Sequence, residues 1–301
     1  MAMIAISALV GKTSLATDNG RAAADFLNID VGARGAGLGS ALTSSASDAS
    51  AIYWNPSGMV NSDRAQLSFS HFIWLQDINY DFLGATYPVS ERIAIGASAQ
   101  YLDYGKIDGY DNSDNPTGQI GSTFDMAGSI AIACRLTENI SFGASGKLVM
   151  ISLADSRASA MAADLGLMYA RDKFSIGLAA SNLGGKLKFE REENNLPANL
   201  RGGVTVKPFG SATLISCEAK RNLSGELDIR NGVEYSFDDR YFIRAGYIFA
   251  ANGTGLGLDQ GISLGVGAIL GPTQIDYAYT PLKGAGLDSV HRFTLGLRLG
   301  R

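Results

Sequence analysis

Two histidines and two cysteines are all that the 301-residue chain offers in imidazoles and thiols, so a Ser–His hydrolase would have to be built around His71 or His291. Both stand at the wrong phase for that chemistry. His71 alternates with Phe69 and Ile73, and His291 with Phe293, which places each ring on an apolar face rather than beside a nucleophile. The string Gly35-Ala36-Gly37-Leu38-Gly39 has the glycines of a phosphate loop but lacks a preceding buried strand, a complete GxGxxG and a Walker lysine. Asp111, Ser113 and Asn115 have the spacing of calcium ligands, yet Pro116 stands where such a loop needs glycine. Cys134 and Cys217 fall on the apolar phase of separate segments and read as free thiols. The expectation is a protein that is not an enzyme and takes no cofactor and no metal.

The other ionisable residues are more informative, because they recur at every second position of apolar segments. Leu227, Ile229, Val233, Tyr235 and Phe237 share one face, and Glu226, Asp228, Arg230, Gly232, Glu234 and Ser236 the other, with only Asn231 interrupting the apolar side. The last segment sets Phe293, Leu295, Leu297 and Leu299 against Arg292, Thr294, Gly296 and Arg298. A period of two is that of a strand; a helix would mix these faces.

Alternation also suits a soluble antiparallel sandwich, so the connectors decide. Tight connections at Pro88 to Arg92, Thr137 to Asn139, Arg171 to Lys173, Pro208 to Ser211, Asp238 to Arg240 and Gly271 to Thr273 alternate with longer ones. The longer set is Asp103 to Gly121, Ala154 to Ala160, Leu183 to Pro197, Arg221 to Gly225, Ala251 to Gln260 and Pro281 to Ser289, with Leu75 to Asn79 as a first outer loop. Short turns on one rim and long loops on the other are the pattern of an outer-membrane barrel. The expected fold is all-β: about fourteen antiparallel transmembrane strands with a short helical or irregular N-terminal hatch. Strands are expected to start near Gln66, Tyr80, Ile93, Thr123, Ile140, Met161, Phe174, Ala198, Ala212, Glu226, Tyr241, Gly261, Gln274 and Val290.

Composition narrows the class further. No uncharged apolar stretch approaches the roughly 18 residues of a membrane helix, so a membrane span has to be made of strands. A net charge of −4 without a basic run excludes a nucleic-acid footprint. Three regions are expected: a signal-peptide remnant over residues 1–16, with the apolar Met1 to Val10 and the small residues of Ser14-Leu15-Ala16; a hatch over 17–64; and the barrel over 65–301. The hatch is rich in Gly, Ala and Ser, and Asp48 is expected to cap a short helix through Ala51 to Tyr53.

The stretches VGARGAGLGSALTSSASDASAIYWNPSGM, LSFSHFIWLQDINYDFLGATYPV and YLDYGKIDGYDNSDNPTG, with AADLGLMYA, SNLGGKLKF and IDYAYTPLKGAGLDSVHRFTLGLRL, resemble the PorV/PorQ family of outer-membrane proteins within the FadL-like barrels. The resemblance runs from about Asp25 to the C terminus. It implies a fourteen-stranded barrel in the bacterial outer membrane, with Asn55, Pro56, Ser57 and Gly58 belonging to the hatch. The ending Leu299-Gly300-Arg301 departs from the aromatic terminus of many such barrels.

Placing the apolar face toward lipid sends Asp125, Lys147, Asp164, Arg201, Lys207, Glu218, Lys220, Asp228, Arg230, Glu234, Arg244, Asp276, Arg292 and Arg298 into the lumen. Both signs are present, which favours a plugged interior braced by ion pairs over a selective ion path. The resemblance implies a role in type IX secretion, where such a barrel receives cargo proteins and delivers them for surface attachment. Secretion components, cargo and outer-membrane lipid are then the expected partners, and Asp108, Tyr110, Asp111, Asp114 and Asn115 in the longest outer loop are the expected docking surface. The alternative is uptake of a hydrophobic small molecule, with Tyr53, Trp54, Phe72 and Trp74 lining a pocket near the hatch. For Trp74 an interfacial girdle is the simpler reading.

Overall fold

Residues that alternate large apolar with small or polar side chains form strands whose faces meet different surroundings. The computed structural model describes residues 23–300 apart from 74–77, 106, 111–114, 121–122, 154–155, 190–191, 224, 251–260 and 282–288. Its strands are β1 (Ala65–Ile73), β2 (Asn79–Ser90), β3 (Ile93–Asp103), β4 (Ile107–Tyr110), β5 (Pro116–Ile120), β6 (Phe124–Arg135), β7 (Ile140–Leu153), β8 (Ser156–Arg171) and β9 (Phe174–Gly184). They continue with β10 (Lys186–Phe189), β11 (Glu192–Asn195), β12 (Asn199–Val206), β13 (Thr213–Asn222), β14 (Leu227–Phe237), β15 (Tyr241–Ala250), β16 (Gly261–Leu270), β17 (Thr273–Thr280) and β18 (Val290–Leu299).

Fourteen of them close into one antiparallel barrel, each paired with its neighbour in the chain and β18 returning to β1, where Ala65 faces Leu299 and Ile73 faces His291. The remaining four make two hairpins, β4–β5 and β10–β11, inside outer connections where the sequence predicts plain loops. A second difference lies between β7 and β8. The loop expected over Ala154 to Ala160 is mostly strand, because β8 starts at Ser156 and pairs it with Leu153.

The outward face is apolar, from Leu67 and Phe69 on β1 to Phe293, Leu295 and Leu299 on β18. Cys134 and Cys217 are free thiols. Residues 23–64, which precede β1, fill the inside. They form a 3-10 turn at Asp25–Asn28, α1 (Ala33–Gly37), α2 (Ala51–Trp54) and a 3-10 helix at Pro56–Asn61. At the outer mouth the Ala23 N–H donates to the Asn195 carbonyl of β11 at 3.0 Å. At the short-turn rim Arg135 Nη2 donates to the Val60 carbonyl at 2.7 Å. The hatch therefore threads the whole lumen before entering β1.

Candidate functional site

The wall is shaped to receive that thread. Inward-facing glycines form cross-strand pairs, Gly143 with Gly166, Gly177 with Gly203, and Gly232 with Gly246. A Cβ on Gly143 would strike Pro56 and Ser57, one on Gly177 Thr43 and Ser44, and one on Gly246 Leu38 and Gly39. Gly37 and Gly265 continue the band, since a Cβ on either would come within 3.1 Å of the other's Cα. Hatch backbone thus lies directly on wall backbone, which only residues without a side chain permit.

The Asn55-Pro56-Ser57-Gly58 element sits on this band, fully buried. Asn55 is extended at φ −166° and organises the turn: its Oδ1 accepts from the Ser57 N–H at 3.2 Å and from Ser57 Oγ at 2.6 Å. Its Nδ2 donates to the Thr43 carbonyl at 2.8 Å and to the Leu167 carbonyl of β8 at 3.3 Å, tying hatch to wall. Gly58 is there because the Ala46 carbonyl occupies the space a Cβ would need, and not for a left-handed backbone. Asp48 caps no helix; its Oδ1 accepts from the Ser50 N–H at 2.8 Å, and α2 begins after Ser50 without a side-chain cap.

Two ionic clusters pin the first half of the hatch. Asp30 Oδ2 accepts from Arg230 Nη1 at 2.9 Å, and its Oδ1 accepts from Arg201 Nη2 at 3.3 Å. Arg230 also reaches Asp228 at 3.4 Å, and Arg201 Nη1 stands 4.0 Å from Glu218, whose Oε2 accepts from the Thr43 N–H at 2.9 Å. Arg34 grips Glu234 with Nε at 3.1 Å and Nη2 at 3.2 Å, and Arg244 joins the same Glu234 and Asp276 at 2.6 Å each. Lys220 is buried close to Asp30. The first cluster therefore holds Arg201, Lys220 and Arg230 against Asp30, Glu218 and Asp228, and the second Arg34 and Arg244 against Glu234 and Asp276. Each matches its cationic side chains with an equal number of carboxylates, as burial favours.

A third network is internal to the wall. Lys147 Nζ donates to Asn182 Oδ1 at 2.6 Å and to Asp164 Oδ1 at 3.2 Å, and Ser145 Oγ donates to Asp164 Oδ2 at 2.7 Å. It fastens a register shift between β8 and β9 at which Asn182 adopts φ 59°.

Toward the outer mouth the lumen turns apolar. Phe26 and Leu27 of the hatch belong to one buried cluster with Phe72, Tyr80, Phe82, Leu102, Val149 and Val290 from the wall and Leu187 from the β10–β11 hairpin. Phe72 stacks on Tyr80 with centroids 4.9 Å apart, and the Arg201 guanidinium lies 5.3 Å from the Tyr53 ring and 4.9 Å from that of Trp54. Tyr104, just beyond β3, donates to Asp125 Oδ2 at 2.9 Å. Burial and the Asp125 carboxylate both push that phenol above its ordinary pKa.

Of the residues expected in the lumen, Asp164, Arg201, Glu218, Arg230, Glu234 and Arg244 are buried there, with Asp228 half-buried near the outer rim. Two are corrected. Arg298 lies on the inward phase but is exposed at the short-turn rim, where it donates to Gln274 Oε1 at 3.2 Å, and Lys207 follows the end of β12 in an exposed turn. In the outer loop Asp108 and Tyr110 belong to β4 and Asn115 is exposed, while Asp111, Asp114, Trp74 and residues 1–22 lie outside the described residues. Sequence reading missed Asp30 and Arg34, whose partners lie 171 to 200 residues away. The signal that was present for Asp30 is Arg201, an inward arginine with no carboxylate two positions away on its own strand, whereas Arg230 has Asp228 there and gives none.

The model for the family "Type IX secretion system protein PorV" matches residues 16–209, more than half of the chain. The chain belongs to the PorV family. No curated protein sequence matches it. Among solved structures it is similar to the Pseudomonas putida toluene transporter TodX, at 13% identity and TM-score 0.65 over 90% of this chain and 99% of that one. It is also similar to the CymD monoaromatic hydrocarbon channel, at 14% identity and TM-score 0.62 over 91% and 98%. A Pseudomonas aeruginosa FadL homologue aligns at 14% identity and TM-score 0.58 over 88% and 97%. At such identities the likeness is one of fold. PorV membership with a closed fourteen-stranded FadL-like barrel makes this an outer-membrane protein, with the family and fold of a transport or secretion barrel rather than of an enzyme.

Proposed function

We propose that the chain works as a docking barrel of type IX secretion, sealed by its hatch and binding secretion components and cargo through its outer rim. The observation that carries this reading is the hatch seat: wall glycines, two charge-matched ionic clusters and an apolar mouth hold one segment along the full lumen. A lumen occupied in this way leaves the outer loops, with Asp108, Tyr110, Asp111, Asp114 and Asn115 in the longest, as the surface for partners. Affinity isolation of the intact barrel from native membranes tests it. Secretion components or cargo should co-purify and be lost when residues 108–115 are replaced by a Gly-Ser linker; retention after that replacement would overturn the assignment of this loop.

A second reading, passage of a hydrophobic small molecule, is favoured by the apolar mouth around Phe72, Tyr80 and Phe82. TodX is a toluene transporter and CymD a monoaromatic hydrocarbon channel. Uptake of labelled toluene by proteoliposomes of the full chain would support it.

A further inference from the structure

The outward wall carries a cleft at its outer rim that neither reading employs. Phe124 of β6, Met150 and Ser152 of β7, and Arg157 and Ser159 of β8 line a hollow of about 200 Å3 together with Ile151 and Ala158. Register sets Phe124 beside Ser152 and Ser152 beside Arg157, and one row lower Met150 beside Ser159. Tyr101 of β3 packs against Phe124 with 5.7 Å between ring centroids, which steadies that side. Arg157 is exposed, and no hydrogen bond or ion pair engages it among the described residues.

The height of the cleft follows from β8 itself. Its outward residues run Tyr169, Leu167, Leu165, Ala163, Met161, Ser159, Arg157, apolar until Met161 and polar above. A tilted strand climbs roughly 30 Å between Tyr169 and Arg157, against an apolar band of about 25 Å. Arg157 therefore stands just above the hydrocarbon, at the level of outer-leaflet headgroups. Below it the wall is bare. A Cβ on Gly128 or Gly146 would meet nothing within 4 Å, and these glycines leave a furrow between Ile130, Leu148 and Met161, of which Ile130 and Met161 are 75% and 74% exposed.

A guanidinium selects a phosphate, a furrow of methyl groups selects an acyl chain, and the outer level selects the leaflet. We propose that the cleft and furrow bind lipopolysaccharide, with a phosphate on Arg157, the Ser159 hydroxyl beside it, and an acyl chain lying over Gly146 and Gly128. A phospholipid of the inner leaflet would carry its phosphate to the opposite rim.

The test uses the full chain in detergent, titrated with lipopolysaccharide and, separately, with phosphatidylglycerol, with bound lipid counted by native mass spectrometry. Arg157→Glu and the furrow-filling Gly146→Leu should each weaken lipopolysaccharide binding by about tenfold or more, and Arg157→Lys by less, because it keeps the charge without the fork. Arg221→Glu, at an exposed arginine on the outward phase of β13, should bind as the unaltered chain does. Heat-modifiable mobility confirms that each variant is folded. Equal loss in the Arg157 and Arg221 variants, no lipopolysaccharide on the unaltered chain, or phosphatidylglycerol binding equally well would each overturn the proposal.

Discussion

Replacing Asp30 by alanine should release the hatch without unfolding the barrel. Asp30 is the one hatch carboxylate between Arg201 and Arg230, at 3.3 and 2.9 Å, and its removal leaves both guanidiniums buried with weaker partners: Glu218 at 4.0 Å for one and Asp228 at 3.4 Å for the other. Breaking a buried pair costs about 3–5 kcal/mol, and the residual partners put this case near the lower end, about 3 kcal/mol. The cost falls on the seated hatch alone, because the barrel strands keep their ladders. A shift of that size is about 150-fold in the equilibrium between seated and released hatch. Planar-bilayer recording reads it as time spent conducting. Adding Arg201→Met to Asp30→Leu should bring closure part of the way back, since one charge of each sign is then removed and Lys220 and Arg230 still stand against Glu218 and Asp228. If Asp30→Ala stays as quiet as the unaltered chain while a hatch deletion conducts, the ionic clamp does not hold the hatch and the argument fails.

Deleting Asp25 to Met59 should open a conducting pore with strand content by circular dichroism nearly unchanged; an unaltered current would mean that wall side chains and outer loops seal the barrel themselves. Gly246→Leu should displace the hatch around Gly39, seen as faster protease cleavage of the hatch, whereas Gly128→Leu, on the outward wall with open space around it, should leave cleavage unchanged in comparison. Val233→Arg, on the outward face, should cost about 2–4 kcal/mol in unfolding from liposomes if it lies near the midplane. Equal tolerance of arginine at Val233 and at the rim residue Phe237 would show that the lipid-facing band has been misplaced.

Strand phase was legible because period two is written in every segment, and the fourteen strands follow from it. The two loop hairpins were not, since β4–β5 is broken by glycine and β10–β11 is mostly charged and amide side chains, and the pairing of each depends on the rim beneath it, as Leu187 turned into the lumen illustrates. Inward charges could be assigned to the lumen, yet nothing local says that Arg230 faces Asp30, so truncating it reads as mild from phase alone and severe from geometry. Glycine is the least legible of all. In sequence, Gly210 at an exposed turn with φ 67° and Gly246 pressed against Gly39 are the same letter; only the second one makes room for the hatch.

The hatch precedes every strand it touches, and this orders assembly. Asp30 is joined to Arg230 across 200 residues and Ala33 to Thr294 across 261, so the segment made first is secured last. Contacts of such separation contribute only after the intervening chain is placed, which makes them slow to form. Until β14 to β18 arrive, the nascent hatch has the glycines of β7 to β9 to lie against, Arg201 of β12 on Asp30 and Glu218 of β13 on Thr43, but it lacks the shorter Arg230 contact and the whole Arg34 cluster, so a chain cut short before β14 would hold the first half of its hatch by half a clamp. Closure of the β1–β18 seam and locking of the hatch thus become one late event, with the Ala33 N–H on Thr294 Oγ1 at 2.8 Å as the contact that couples them.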